Sequence, residues 1–209
     1  MSAPRRGRLV TIEGGEGAGK TTLQGGLERL ARGGGLEVLT CREPGGTHLG
    51  ERLREALLGH DAEPPDRVAE LLVFTAARAQ LVSEVIRPAL DRGAIVICDR
   101  YIDSTIAYQH HGRGIARADV DAANAVATGG LLPDLTVLLD LPPYEGLRRV
   151  GRVGDYLERE PLDFHRRVRA GYLAEAEQHP GRWLVLDAVQ PPEALAEAAW
   201  ERIAALPAA

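Results

Sequence analysis

Leu9-Val10-Thr11-Ile12-Glu13-Gly14-Gly15-Glu16-Gly17-Ala18-Gly19-Lys20-Thr21-Thr22 decides the fold. Residues 9–13 are a short run of the branched and apolar side chains that suit a strand. The run breaks into glycines, and residues 20–32 resume with Leu23, Leu27 and Leu30 at helical spacing. Strand, glycine-rich loop and helix in that order make the G-x-x-x-x-G-K-[ST] pattern a phosphate-binding loop. Glycines let successive backbone N–H groups turn towards one anion, and the helix N-terminus adds partial positive charge. Gly14, Gly15, Glu16, Gly17, Ala18, Gly19, Lys20, Thr21 and Thr22 are therefore the candidates for holding a nucleotide. In that pattern the lysine serves the β- and γ-phosphates and the Thr21 hydroxyl serves Mg²⁺. A dinucleotide fingerprint wants Gly or Ala where Lys20 stands, so that reading fails.

Lys20 is also the only lysine among 25 basic residues. The chain uses arginine wherever a generic positive charge suffices, and keeps a compact ammonium for this one place. The missing second lysine also excludes the Asn-Lys-x-Asp element with which GTPases read guanine. No His-Arg-Asp of a protein kinase occurs. The 209 residues are enough for one α/β domain, expected over 1–209. A net charge of −5 argues against a nucleic-acid partner. No apolar run approaches a membrane span, and the basic start is followed by too short an apolar stretch for a secretory signal. Two cysteines, Cys41 and Cys98, are too few for a disulfide scaffold, so two free thiols in a cytoplasmic protein are expected.

Outward from the loop, strands are expected at 36–41, 94–98, 135–139 and 183–186. Helices are expected at 48–58, from Asp66 as N-cap to about 90, at 102–110, 117–128, 143–150, 161–178 and 193–206. Strands thus alternate with helices. The expected fold class is α/β, the three-layer P-loop NTPase fold with a five-stranded parallel sheet flanked by helices. In such sheets ligands sit beyond the carboxyl ends of the strands. Arg42–Thr47 and Asp99–Tyr101 follow strand ends and are candidates on that ground.

Four motifs in order are more specific than the loop alone. They are Glu13-Gly14 with Gly17-Ala18-Gly19-Lys20-Thr21-Thr22; Arg42-Glu43-Pro44-Gly45-Gly46-Thr47; Arg78-Ala79-Gln80; and Asp99-Arg100-Tyr101-Ile102-Asp103-Ser104 with Ala107-Tyr108-Gln109. Together they resemble the thymidylate kinase family, and the likeness runs on through Phe164, Val168-Arg169 and Tyr172, over about 9–187. The resemblance implies transfer of the γ-phosphate of ATP to dTMP, giving dTDP and ADP, with Mg²⁺. It places Ser104 and Thr105 at the base edge and Tyr108 under the sugar, disfavouring a 2′-hydroxyl. Glu16 it places on the deoxyribose 3′-hydroxyl, which explains a carboxylate inside an anion-binding loop. Asp99 it places near Mg²⁺ through water. Pro44 and Gln109 fall within the acceptor motifs. The physics of the residues agrees. Phe74 and Arg78 are four apart on one helix face, so a ring to stack on a pyrimidine stands beside a donor for a base carbonyl. Arg100 offers a planar fork to the acceptor phosphate, the alternative being an ion pair with a neighbouring carboxylate. Arg42 either serves that phosphate or braces the Pro44 turn.

The resemblance further implies a lid, about 148–160, that closes over ATP. Because the phosphate loop carries Glu16-Gly17 and no arginine, Arg149 or Arg152 becomes the candidate for offsetting charge on the transferred phosphoryl group, with Lys20, Asp99 and Arg100 as the other catalytic candidates. Two departures stand out. Tyr156 occupies a usual arginine position, and His110-His111 stand where the family often has glycine; these histidines are read as loop residues. A homodimer is expected from the family. Kinase action on another nucleoside monophosphate and a non-catalytic nucleotide-binding domain remain as alternatives.

Overall fold

The computed structural model describes residues 6–59, 63–151 and 154–206. Five strands form one sheet: β1 (Arg8–Gly14), β2 (Val38–Arg42), β3 (Ile95–Asp99), β4 (Leu135–Asp140) and β5 (Trp183–Asp187). All neighbours are parallel, in the order β2-β3-β1-β4-β5. The first strand is therefore central, with β3 and β4 beside it. Its crossover runs outwards to one edge while the chain later returns to build the other. That divergence opens a crevice at the carboxyl end of β1, where the phosphate loop lies.

Both faces of the sheet are covered, as parallel sheets require. Side chains alternate along β1. Val10 and Ile12 join one core with Leu23, Leu27, Leu195 and Ile203, from α1 (Lys20–Gly33) and α9 (Pro192–Ala204). Leu9 points the other way, to Leu81 and Ile86. That side carries α3 (Arg67–Leu81), α6 (Arg117–Thr128) and α8 (Leu162–Gln178), while α2 (His48–Leu58) packs on α3. Thr47 and Asp66 cap α2 and α3 by accepting from Gly50 N (2.9 Å) and Val68 N (2.8 Å). Among the described residues, no helix is long and apolar enough to cross a membrane.

Two helices expected as continuous are not. The one starting at Asp66 passes through a π-turn, Val82–Ile86, before α4 (Arg87–Asp91). Pro88 lacks the N–H that would donate to Glu84 O, and the ladder shifts register just before it. Likewise α5 (Ile102–Thr105) widens into a π-turn, Ile106–Gly112. His110 and His111 lie in that turn, not in a loop, and the His110 ring bonds Ile115 O at 2.7 Å. The thiols are free, and the β2–β3 register pairs Cys41 with Cys98. The Cys41 thiol and then burial hold the Cys98 thiol well above its usual range.

Candidate active site

The phosphate loop leaves β1 at Gly14 and enters α1 at Lys20. The Lys20 ammonium folds back on the loop, donating to Gly14 O (3.1 Å) and Gly15 O (2.9 Å). Gly17 has φ +65°, and a Cβ there would stand 2.2 Å from Gly146 O of α7 (Pro143–Val150). Loop and helix thus touch backbone to backbone, and only glycine fits between them. From the same helix Arg149 reaches towards Gly17 O (3.5 Å) and Ala188 O (3.3 Å). Arg152 lies outside the described residues.

An open cleft runs over this loop, floored by residues 16–22 and walled by Asp99 and Arg42. A second pocket adjoins it, lined by Phe74, Arg78, Ser104, Thr105, Tyr108 and Gln109, with Pro44 at its rim. Glu16, Glu43, Arg54, Arg100 and Glu158 face both. The structure thus gathers the acceptor residues expected from sequence, with one exception. Arg42 belongs to the open cleft alone, more than half exposed and gripped by both Glu51 oxygens at 3.1 and 3.0 Å.

Arg100 sits where the two spaces meet. It is the one non-glycine residue with positive φ among the described residues, at +68°. Its guanidinium donates to Glu16 Oε1 (2.7 Å) and lies over the Tyr108 ring, 5.0 Å from its centre. Tyr108 donates to the same oxygen at 2.6 Å. Burial pushes the Glu16 carboxyl up, but Arg100, Lys20 and Tyr108 outweigh it and hold it at about 2. The ion pair that the sequence offered as the alternative role for Arg100 is therefore present, and its partner is itself a site residue.

Phe74 is half-buried against the Tyr108–Phe164 cluster and leaves part of its ring to the pocket. Arg78 is more confined than its sequence role suggests. It is 1% exposed, and each of its five N–H groups has a protein acceptor. Nε donates to Glu43 Oε2 (2.7 Å), and Nη1 donates to Thr105 Oγ1 (2.8 Å) and Asn124 Oδ1 (2.6 Å). Nη2 donates to Tyr101 O (3.0 Å) and Glu43 Oε2 (2.6 Å). The donor left at that end of the pocket is the Thr105 hydroxyl, whose oxygen accepts from Arg78. Gln109 is similarly held, its amide donating to Glu70 Oε1 at 2.8 Å.

Sequence reasoning gave no role in these spaces to three residues. Arg54 of α2 donates to Pro44 O (3.0 Å) and faces both spaces; helix periodicity alone does not separate it from its exposed neighbour Arg52. Asp155 and Glu158 line the second pocket, and Asp155 Oδ1 caps its own turn by accepting from Leu157 N (2.9 Å) and Glu158 N (3.0 Å). Tyr156, one of the two departures in the sequence, is 3% exposed and packs in the cluster of Tyr108 and Phe164, so it ties its own turn to that core.

This geometry can be set beside known proteins. The thymidylate kinase family model matches residues 12–199. A thymidylate kinase of Thermomicrobium roseum is 51% identical over 198 residues, spanning 93% of each chain. One of Deinococcus radiodurans is 50% identical over 200 residues, covering 95% of this chain and 97% of that one. The chain belongs to the thymidylate kinase family. A crystal structure of the thymidylate kinase from Ehrlichia chaffeensis superposes with a TM-score of 0.77 at 32% identity, covering 95% of this chain and 99% of that one. As a member of this family, the protein is an ATP-dependent phosphotransferase that converts dTMP to dTDP. Membership favours that reading over the other two that the sequence left open.

Proposed function

We propose that the open cleft holds ATP, that the adjoining pocket holds dTMP, and that the γ-phosphate crosses between them at Arg100 and Arg54. The observation that carries this is the meeting of the two spaces at Arg54 and Arg100, with Glu16, Glu43 and Glu158 beside them. Backbone N–H groups of Gly14 to Gly19, with Lys20, take the triphosphate, and Thr22 lies beside them. In the other pocket the Phe74 ring stacks on the pyrimidine, and the Thr105 hydroxyl, backed by Arg78 and flanked by Ser104 and Gln109, donates to the base edge. Pro44 closes the rim. Tyr108 floors the sugar, and Glu16 accepts from its 3′-hydroxyl. Arg100 then exchanges part of its pairing with Glu16 for the acceptor phosphate, with Arg54 on the far side. Arg42, tied to Glu51, braces the Pro44 turn.

Asp99 fits the implied Mg²⁺. Its Oδ1 is buried and has no hydrogen-bond partner among the described residues, a state that a cation or its bound water relieves. Thr21 and Asp99 would hold the ion, which when bound neutralises charge between the transferring phosphates. Transfer is in line and needs no covalent enzyme intermediate; positioning and fixed charge carry it. Lys20, Arg100 and a lid arginine supply that charge, with Arg149 already over the loop and Arg152 beside it in sequence.

We read the chain as one domain with about 148–160 as its lid, acting in the cytoplasm. A homodimer through α3 fits the exposure of Val68 (49%) and Leu72 (57%), four residues apart on one face. ADP release measured with ATP, Mg²⁺ and a panel of dTMP, dUMP, dCMP, dGMP, AMP and UMP tests the assignment. Strong preference for dTMP is expected. Preference for another monophosphate would overturn the roles given to Phe74, Thr105 and Tyr108.

A further inference from the structure

Glu13 is wholly inaccessible and lines neither cleft, yet its carboxylate is the hub of the hydrogen bonds around Arg100. Oε1 accepts from Tyr101 N at 2.8 Å. Oε2 accepts from Ser104 Oγ at 2.6 Å and Tyr172 Oη at 3.0 Å. These partners enclose Arg100 on two sides.

The first side is the backbone. A left-handed conformation is unfavourable for arginine and persists only where its surroundings impose it. Two consecutive amides fix this corner: Arg100 N donates to Ile12 O (3.0 Å), and Tyr101 N donates to Glu13. Adjacent residues of β1 therefore grip the peptides flanking the strained residue. The second side is the guanidinium. Arg100 Nη1 contacts Ser104 Oγ, Tyr172 Oη and Gly14 O, each at 3.3 Å. The two hydroxyls among these are the ones bonded to Glu13. When ionised, Glu13 only accepts, so the hydroxyl pair, which also bond each other at 2.8 Å, turn hydrogen towards the carboxylate and oxygen lone pairs towards Arg100.

We propose that Glu13 is a positioning residue for the acceptor phosphate: it locks the left-handed corner at Arg100 and, through Ser104 and Tyr172, aims the guanidinium. This rests on the reading of Arg100 as the residue that binds that phosphate. It makes the strand preceding the ATP loop part of the acceptor site, so that one short segment orders both substrates.

Thymidine, which is dTMP without its phosphate, separates this role from general damage. The measurement is the affinity of the full chain for dTMP and for thymidine as competitive ligands, with ATP affinity alongside. In Glu13→Ala, dTMP binding is expected to weaken about 10- to 100-fold, the range for losing a well-placed hydrogen bond to charge. Thymidine and ATP binding should stay near wild type, so the dTMP-to-thymidine ratio collapses. Glu13→Gln keeps an acceptor for Tyr101 N but turns a donor towards Ser104 and Tyr172, so it should hold the corner without freeing the hydroxyl lone pairs, and its ratio should fall between those of wild type and Glu13→Ala. If dTMP and thymidine weaken together, or the ratio is unchanged, Glu13 is not a positioning residue. Should Glu13→Ala not fold, Glu13→Asp reads the same ratio, because its shorter arm cannot reach Tyr101 N and Ser104 together. Arg100→Ala tests the underlying reading separately. An intact ratio in that variant removes Arg100 from the phosphate, whatever Glu13 does.

Discussion

Arg78 lines the pocket, yet its donors are committed to the protein. Its five donors are spent on Glu43, Thr105, Asn124 and Tyr101, and Glu43 is itself 5% exposed. Removing one partner of such a pair leaves a buried charge unmatched, at about 3–5 kcal/mol. Arg78→Ala should therefore lower the unfolding free energy by roughly that amount, measured by urea denaturation. A stable variant altered only in its KM for dTMP would show instead that Arg78 acts directly on the base. Phe74 makes the contrast, because its ring is partly free and no network depends on it. Phe74→Ala should raise the KM for dTMP about fivefold while leaving the KM for ATP nearly unchanged, if stacking contributes its usual ~1 kcal/mol beyond burial. An unchanged KM for dTMP would remove it from the base site.

Among the elements, the phosphate loop and α7 meet at a join that leaves no room for a side chain. At Gly17 a side chain meets two obstacles, the left-handed φ of +65° and Gly146 O at 2.2 Å, and both are backbone. Gly17→Ala is expected to cost about 2–4 kcal/mol from strain and overpacking together. That lowers Tm by roughly 5–15 °C and raises the KM for ATP. A wild-type Tm would mean that α7 moves aside freely. This join was hidden in the sequence, where Gly17 read as one more position of the loop pattern and Gly146 lies far along the chain. What was legible is what local chemistry writes. The run at β1, the caps Thr47 and Asp66 and the buried runs of β3 and β4 depend on neighbours in sequence, and the structure holds them close to where they were expected. The acceptor motifs were legible as residues that the fold gathers into one pocket. Their partners were not. Arg54 is one of several arginines on a helix, and the link between Glu13 and Tyr101 spans 88 positions. The π-turns were likewise invisible to a 3.6-residue period, although Pro88 was present to warn of one.

Over the whole molecule, two glutamates three residues apart make opposite demands on pH. Burial, and after it the Asp103 carboxylate, pushes Glu13 up to about 7, against lowering by Ser104, Arg100 and the Tyr101 amide. Glu16 is held at about 2. For Glu16 the folded state favours the charged form. Its contribution is complete above the unfolded value near 4.5 and is lost as pH falls towards 2. For Glu13 the folded state favours the proton. Its destabilisation is absent below about 4.5 and grows as pH rises through 7, to the order of 3 kcal/mol. Burial lowers His165 and His111, which works the other way in part of the same window, so the wild-type curve alone does not isolate Glu13. The difference from Glu13→Gln does, because glutamine cannot titrate, and its altered bonds to Ser104 and Tyr172 add an offset that does not vary with pH. Relative to wild type, the unfolding free energy of Glu13→Gln should climb between pH 4.5 and 8, and level off beyond. Denaturant melts at half-unit steps measure it. A difference that stays flat across that range would mean Glu13 is ionised in the folded protein throughout. The carboxylate beneath Arg100 would then be held charged by its partners, and Arg100 would feel the same field at every pH at which the enzyme works.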